Sequence, residues 1–121
     1  MNKKIAVLPG DGIGPEIIEQ AVNVLKAIEK KYNHQFEYHY GLIGAAAIDK
    51  TGNPYPDETH ELCLSSDAIL FGAIGDPKIK PGILEKGVLL KARFGLDQYI
   101  NLRPVRLYPG VESPIKGKGP N

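Results

Sequence analysis

The chain has 121 residues, fifteen of them Lys or Arg and fourteen Asp or Glu, for a formal net charge of +1. That balance, without a basic patch or an acidic tail, points away from nucleic acid and membrane surfaces, and no apolar run approaches the roughly 20 residues of a spanning helix. One cysteine, Cys63, excludes an internal disulfide and fits a reducing compartment, so a cytoplasmic protein without a signal peptide is expected.

The first predicted element is a short apolar strand, Lys4–Leu8, followed by a glycine-rich turn over Pro9–Gly14. Pro15 suits the first helical position, because the N–H it lacks would be unsatisfied there. The helix it opens runs to about Lys31, with Ile17, Ile18, Ala21, Val22, Leu25 and Ile28 at three- and four-residue steps on one expected buried face. Glu16 and Glu19 stand near its positive start, and Lys30 and Lys31 at its negative end. Gln35–Tyr40 alternates aromatic and polar residues and reads as a half-exposed strand. Gly41–Ala47 reads as a small apolar loop packed on the sheet, and Thr51-Gly52-Asn53-Pro54 as a turn. Asp57 is expected to cap a short helix through about Ser65. Ala68–Phe71 is expected as a buried strand closed by Gly72 and Gly75, and Gly75–Gly82 as a loop. Glu85–Phe94 reads as a helix, and Tyr99–Leu107 as an extended segment that Pro104 demotes to an edge or bent strand. Strands alternating with helices imply crossover units, hence an α/β fold with a mostly parallel sheet and flanking helices.

Three places are candidates for chemistry. In the turn, Pro9-Gly10-Asp11-Gly12-Ile13-Gly14, the glycine spacing fails the G-x-G-x-x-G dinucleotide fingerprint. Two readings stand: a backbone open to an anion at a helix start, or a tight strand-to-helix turn in which Asp11 holds loop amides. The loop Gly72–Lys78 follows a strand's carboxyl end, where open α/β sheets bind ligands, and reads equally as a plain connection. The third place centres on Arg93. On a helix, Leu89 and Leu90 lie four and three residues before it and share its face, forming an apolar wall that ends in a guanidinium. Arg103 follows on the next segment, and two guanidinium groups from different elements can fork a dicarboxylate. Arg106, an odd offset from Arg103, is expected to face solvent or an ion-pair partner. His34, His39 and His60 show no ligand spacing, Cys63 reads as a small buried group, and Ser65-Ser66 as helix-end residues.

The strand–turn–helix unit Lys4–Glu16, taken with Arg93 and Asn101-Leu102-Arg103-Pro104-Val105, resembles the isocitrate/isopropylmalate dehydrogenase family of β-decarboxylating dehydrogenases over about residues 3–114. The resemblance implies that fold and NAD-dependent oxidation and decarboxylation of 3-isopropylmalate, in leucine biosynthesis, with Mg or Mn and as a homodimer. It implies that Arg93 and Arg103 hold the malate part of the substrate, with Leu89 and Leu90 at its alkyl group. It puts the Gly-rich turn, with Ile13, beside the cofactor cleft, and Asp76, Pro77 and Lys78 at the nicotinamide half. The family's glutamate at the nicotinamide maps to Glu85 or Lys86. Its metal-binding aspartates and its catalytic lysine and tyrosine fall beyond Asn121, so residues 1–121 read as an N-terminal part cut inside a loop. About 1–98 would be a first α/β domain and 99–121 the start of a second.

The substrate is left with alternatives. Isopropylmalate enzymes commonly show Glu-Thr-Gly-Leu-Leu before the first arginine, whereas Glu85-Lys86-Gly87-Val88-Leu89-Leu90 is one residue longer. The run Gly87–Lys91 with Phe94 and Asp97-Gln98-Tyr99 resembles the tartrate- and D-malate-oxidising relatives at least as closely. Gly87 and Leu89 stand where isocitrate enzymes carry a serine and an asparagine, which points away from isocitrate. A non-catalytic α/β module that binds a carboxylate or phosphate is the remaining alternative.

Overall fold

The computed structural model describes residues 1–119. Its centre is β1, Asn2–Gly10, paired in parallel on one side with β2, Gln35–Tyr40, and on the other with β3, Ala68–Ala73. Side chains alternate across a strand, so consecutive residues of β1 enter different cores. Ile5 and Val7 pack with Ile18 and Val22 of α1, Gly14–Tyr32, while Ala6 and Leu8 pack on the opposite face with Ile43, Tyr55, Cys63 and Val88. Burial on both faces explains why the middle of β1 is a continuous apolar run.

The long helix begins where expected, with Pro15 in its first turn, and closes on Asn33, whose left-handed backbone (φ 54°) lets its N–H donate to the Glu29 carbonyl. Its buried stripe is narrower than the periodicity implied. Gly14, Ile18 and Val22 are buried, but Ile17 is exposed, because neighbours on a helix point about 100° apart and Ile18 takes the place against the sheet. The Glu29 carboxylate ties the end of α1 to β2. It accepts from Phe36 N–H at 2.6 Å and from the Tyr38 hydroxyl at 2.9 Å. Burial, and then this bond to a carboxylate, push the Tyr38 phenol up to about 12.

Between β2 and β3 lie two short helices. The first, α2, spans Gly44–Thr51, where a loop was expected over Gly41–Ala47. Ala45, Ala46 and Ala47 favour helix, and the amides at its start are satisfied by the Asp11 carboxylate from the distant turn. The second, α3, is Asp57–Leu64. Asp57 is its first helical residue rather than its cap; Pro56 occupies that place, and Asp57 contributes only its charge near the positive end. At the other end Ser65 and Ser66 donate their hydroxyls to the Leu62 carbonyl, at 3.1 and 2.7 Å. Strand β3 is half-buried rather than buried, because it forms an edge of the three-stranded sheet, and it continues through Gly72 to Ala73.

The expected helix over Glu85–Phe94 is of two kinds: a π-helical turn, Glu85–Leu90, runs directly into α4, Lys91–Gly95. Leu84 and Val88 are buried, and Ala92 and Leu96 pack against the core that holds Val88, the four standing at a strict four-residue step. A plain α-helix would drift about 40° at each such step; the wider π turn offsets that drift and keeps the stripe on the core. Beyond Gly95 the described residues form no regular element, so Tyr99–Leu107 is not the edge strand expected. Asp97 turns left-handed (φ 51°) and Gln98 N–H donates to the Arg93 carbonyl at 2.8 Å, which swings the chain back across the end of α4.

Candidate functional site

One face of the sheet carries a cavity of about 600 Å³. Leu8, Ile69 and Phe71 of the strands, with Tyr55 and Cys63, form its floor; Leu89, Leu90, Ala92, Arg93 and Leu96 form a wall; Gln98, Asn101 and Arg103 stand at its mouth. The four residues expected together, Leu89, Leu90, Arg93 and Arg103, thus line one space. Among the described residues neither arginine has an acidic partner, the ion pairs being Lys3–Asp67 and His39–Glu37. Arg106 is exposed and is not in the lining of this cavity, although its segment is not the strand on which that expectation rested.

The wall bearing Arg93 rests on Tyr55, which is fully buried. The Tyr55 hydroxyl and His60 Nδ1 share a hydrogen bond of 3.1 Å, and the two rings meet edge to face. Lys91 Nζ stands 5.6 Å above the Tyr55 ring and 3.4 Å from its carbonyl oxygen. At the far end of α4, a Cβ on Gly95 would come within 2.8 Å of His60 Cε1, so helix and imidazole are in close contact. Burial pushes both the Tyr55 phenol and the Cys63 thiol up, and a hydrogen bond from Tyr55 offsets only part of the shift on Cys63. A thiol so placed stays protonated and acts as packing. Tyr55 carried no signal in the sequence beyond its place between two prolines.

A second cavity, of about 520 Å³, lies beside the loop after β3. Asp76, Pro77 and Glu85 line it, and Leu89 belongs to both cavities. Two of the expected cofactor residues are not part of it: Lys78 is exposed, its N–H donating to Asp76 Oδ1 at 2.8 Å, and Ile13 stands exposed at the start of α1. Of the two candidates for the family glutamate, Glu85 reaches this cavity and Lys86 does not. Glu85 also accepts from Gly82 N–H at 2.7 Å, closing the start of the π turn.

The glycine turn is built around Asp11, which is buried. Its carboxylate accepts from Ala45 N–H and Ala46 N–H, both at 2.9 Å, and from Gly75 N–H at 3.2 Å. Its own N–H donates to the Ala73 carbonyl at 2.7 Å. Gly44 sits at φ +75°, and a side chain there would collide with the Asp11 carboxylate. This is the tight turn in which Asp11 holds loop amides, and the start of α2 is thereby filled by the protein's own carboxylate. Among the described residues no three His, Cys, Asp or Glu side chains gather as a metal site, and no helix is long and apolar enough to cross a membrane.

A family model described as isocitrate/isopropylmalate dehydrogenase matches residues 4–120. The 3-isopropylmalate dehydrogenase of Bacillus subtilis (strain 168) is 50% identical over 125 residues, covering 96% of this chain and 33% of that protein. That of Carboxydothermus hydrogenoformans is 56% identical over 119 residues, covering 93% and 32%. The chain thus spans about a third of the length of these relatives. Among solved structures, a protein of Thermus thermophilus superposes with a TM-score of 0.71 at 34% identity, over 94% of this chain and 22% of that one. The apo form of a β-decarboxylating dehydrogenase from Thermococcus kodakarensis gives 0.57 at 40% identity, over 78% and 26%.

Proposed function

The chain belongs to the isocitrate/isopropylmalate dehydrogenase family, and from that premise we propose that the protein carrying it oxidises and decarboxylates 3-isopropylmalate with NAD, as a step of leucine synthesis in the cytoplasm. The observation that supports this reading is the shared lining of one cavity: two leucines and two arginines, from the π turn, α4 and the segment beyond it. An alkyl-substituted malate has the complementary parts, a branched apolar group and two carboxylates. Arg93 and Arg103 would take the carboxylates by paired, charge-assisted hydrogen bonds, which fix the orientation of the carbon bearing the hydroxyl. Leu89 and Leu90 would receive the alkyl group and exclude water from it.

The second cavity fits the nicotinamide end of the cofactor. Its size is that of an ordinary small-molecule site, Asp76, Pro77 and Glu85 line it, and Leu89 lines both cavities. Asp76, Pro77 and Glu85 would hold that end, and NAD would supply the hydride acceptor for the substrate's carbinol carbon. The part we assign to these residues in the reaction is binding and orientation. We assign residues 1–98 to a first domain and 99–121 to the start of a second, and the working protein to a homodimer with Mg or Mn.

The π turn favours a second reading. It lies where the Glu85–Arg93 interval is one residue longer than the isopropylmalate pattern, and it carries Leu89 and Leu90 of the wall. Oxidation of D-malate or tartrate is that reading. Specificity constants of the full-length protein for 3-isopropylmalate, D-malate and tartrate, with NAD and Mg, decide between them. We expect 3-isopropylmalate to lead; a lead for either other acid installs the second reading, and no NADH from any of them leaves a binding module.

A further inference from the structure

We propose that Asp11 is a positioning residue for the cofactor: its buried carboxylate holds Gly75, and through Gly75 sets the loop that lines the second cavity. The inference rests on the assignment of that cavity to NAD, and extends it to a residue that touches neither cavity.

Asp11 joins three parts of the chain. Its main chain is fixed to the end of β3 through Ala73, its carboxylate caps α2 through Ala45 and Ala46, and the same Oδ2 that serves Ala45 also accepts from Gly75. Three N–H donors converging on one side chain require an acceptor with lone pairs to spare and no donor of its own, which a carboxylate satisfies and a carboxamide does not. The positive start of α2 favours the negative charge. Beyond Gly75 the loop's other polar ties among the described residues are local. Lys78 and Ile79 donate to Asp76, and Gly82 donates to Glu85. Ile74 packs on the core where the loop leaves β3, and among the described residues the bond to Asp11 is the loop's one side-chain hydrogen bond to a distant part of the chain. Asp76 and Pro77 follow Gly75 immediately and line the second cavity, whereas no residue of 75–82 lines the first. Loosening Asp11 should thus disturb one ligand and spare the other, which a general loss of packing would not do.

Two variants of the full-length protein test this. Asp11→Ala removes the acceptor from all three amides, Gly75 included. Gly75→Ala leaves Asp11 and α2 untouched, meets open space, and strains the loop because Gly75 sits at φ +148°. In both, calorimetry should show NAD binding weakened on the order of tenfold, with the KM of the acid substrate within about twofold of wild type. Asp11→Ala should also lower Tm, through the start of α2, by more than Gly75→Ala does. Unaltered NAD binding in Gly75→Ala overturns the proposal, as does an equal loss for both ligands in the two variants. Should Asp11→Ala fail to fold, Gly75→Ala decides alone. A wild type that binds no NAD removes the cofactor assignment and this proposal with it; a wild type that binds it, beside variants that bind it equally, removes this proposal only.

Discussion

Arg93 and Arg103 line the same cavity from supports of opposite kinds. Arg93 stands on a helix whose two ends are seated, by Lys91 on the Tyr55 ring and by Gly95 on His60, above a core that reaches β1. Arg103 stands in an irregular segment where Leu102 and Val105 are 83% and 97% exposed. The difference teaches that one half of the proposed carboxylate fork is preorganised by the first 96 residues. The other half takes its position from whatever orders residues 97–119.

The largest effect should come from removing the seat. Tyr55→Ala empties a fully buried aromatic site and should cost about 3–5 kcal/mol in denaturant unfolding, whereas Val105→Ala should stay within about 0.5 kcal/mol. Equal effects would erase the contrast between the two regions. Next are the arginines themselves. Arg93→Lys and Arg103→Lys keep the charge and lose the planar fork, so each should lower kcat/KM of the full-length protein by about 2 kcal/mol of transition-state stabilisation. If both specificity constants are unchanged, neither residue binds the substrate. The leucines come third: Leu89→Ala or Leu90→Ala should cost about 1–3 kcal/mol with 3-isopropylmalate and spare D-malate, which has no branch to place there. An equal loss with both acids would make them packing residues.

The smallest effect lies across the sheet, far from both arginines. The Tyr38 phenol is raised from its ordinary value of 10.0 to about 12, so the folded chain keeps the proton longer than the unfolded one. Its stabilisation is complete below pH 10 and is lost as pH rises through about 12. Tyr38→Phe should cost about 1 kcal/mol at neutral pH and flatten that alkaline decline, with substrate binding unmoved. A variant that declines as steeply as wild type would place the alkaline lability elsewhere.

What was legible in the sequence followed from locality. The β1–turn–α1 unit was readable because its signals, an apolar run, glycines and Pro15, adjoin one another. Helix α2 was not, because its cap is Asp11, more than thirty residues upstream. Ile17 misled because periodicity marks a face and not how wide a surface is present to cover it. The π turn has no periodic signature distinct from a helix, and Tyr99–Leu107 has strand-like composition but pairs with neither edge of the sheet. The gathering of Leu89, Leu90, Arg93 and Arg103 was legible from helical spacing and family resemblance together. Tyr55 and His60, which seat that gathering, were not, since their roles exist only across the fold.

The π turn also has an evolutionary meaning. One residue inserted into a plain α-helix rotates everything after it by about 100° and would tear Ala92 and Leu96 from the core. Spread over Glu85–Leu90, the same insertion is absorbed while Leu84, Val88, Ala92 and Leu96 keep their phase. A lineage gaining or losing a single codon here can therefore reshape the apolar wall and leave the arginine where it stands.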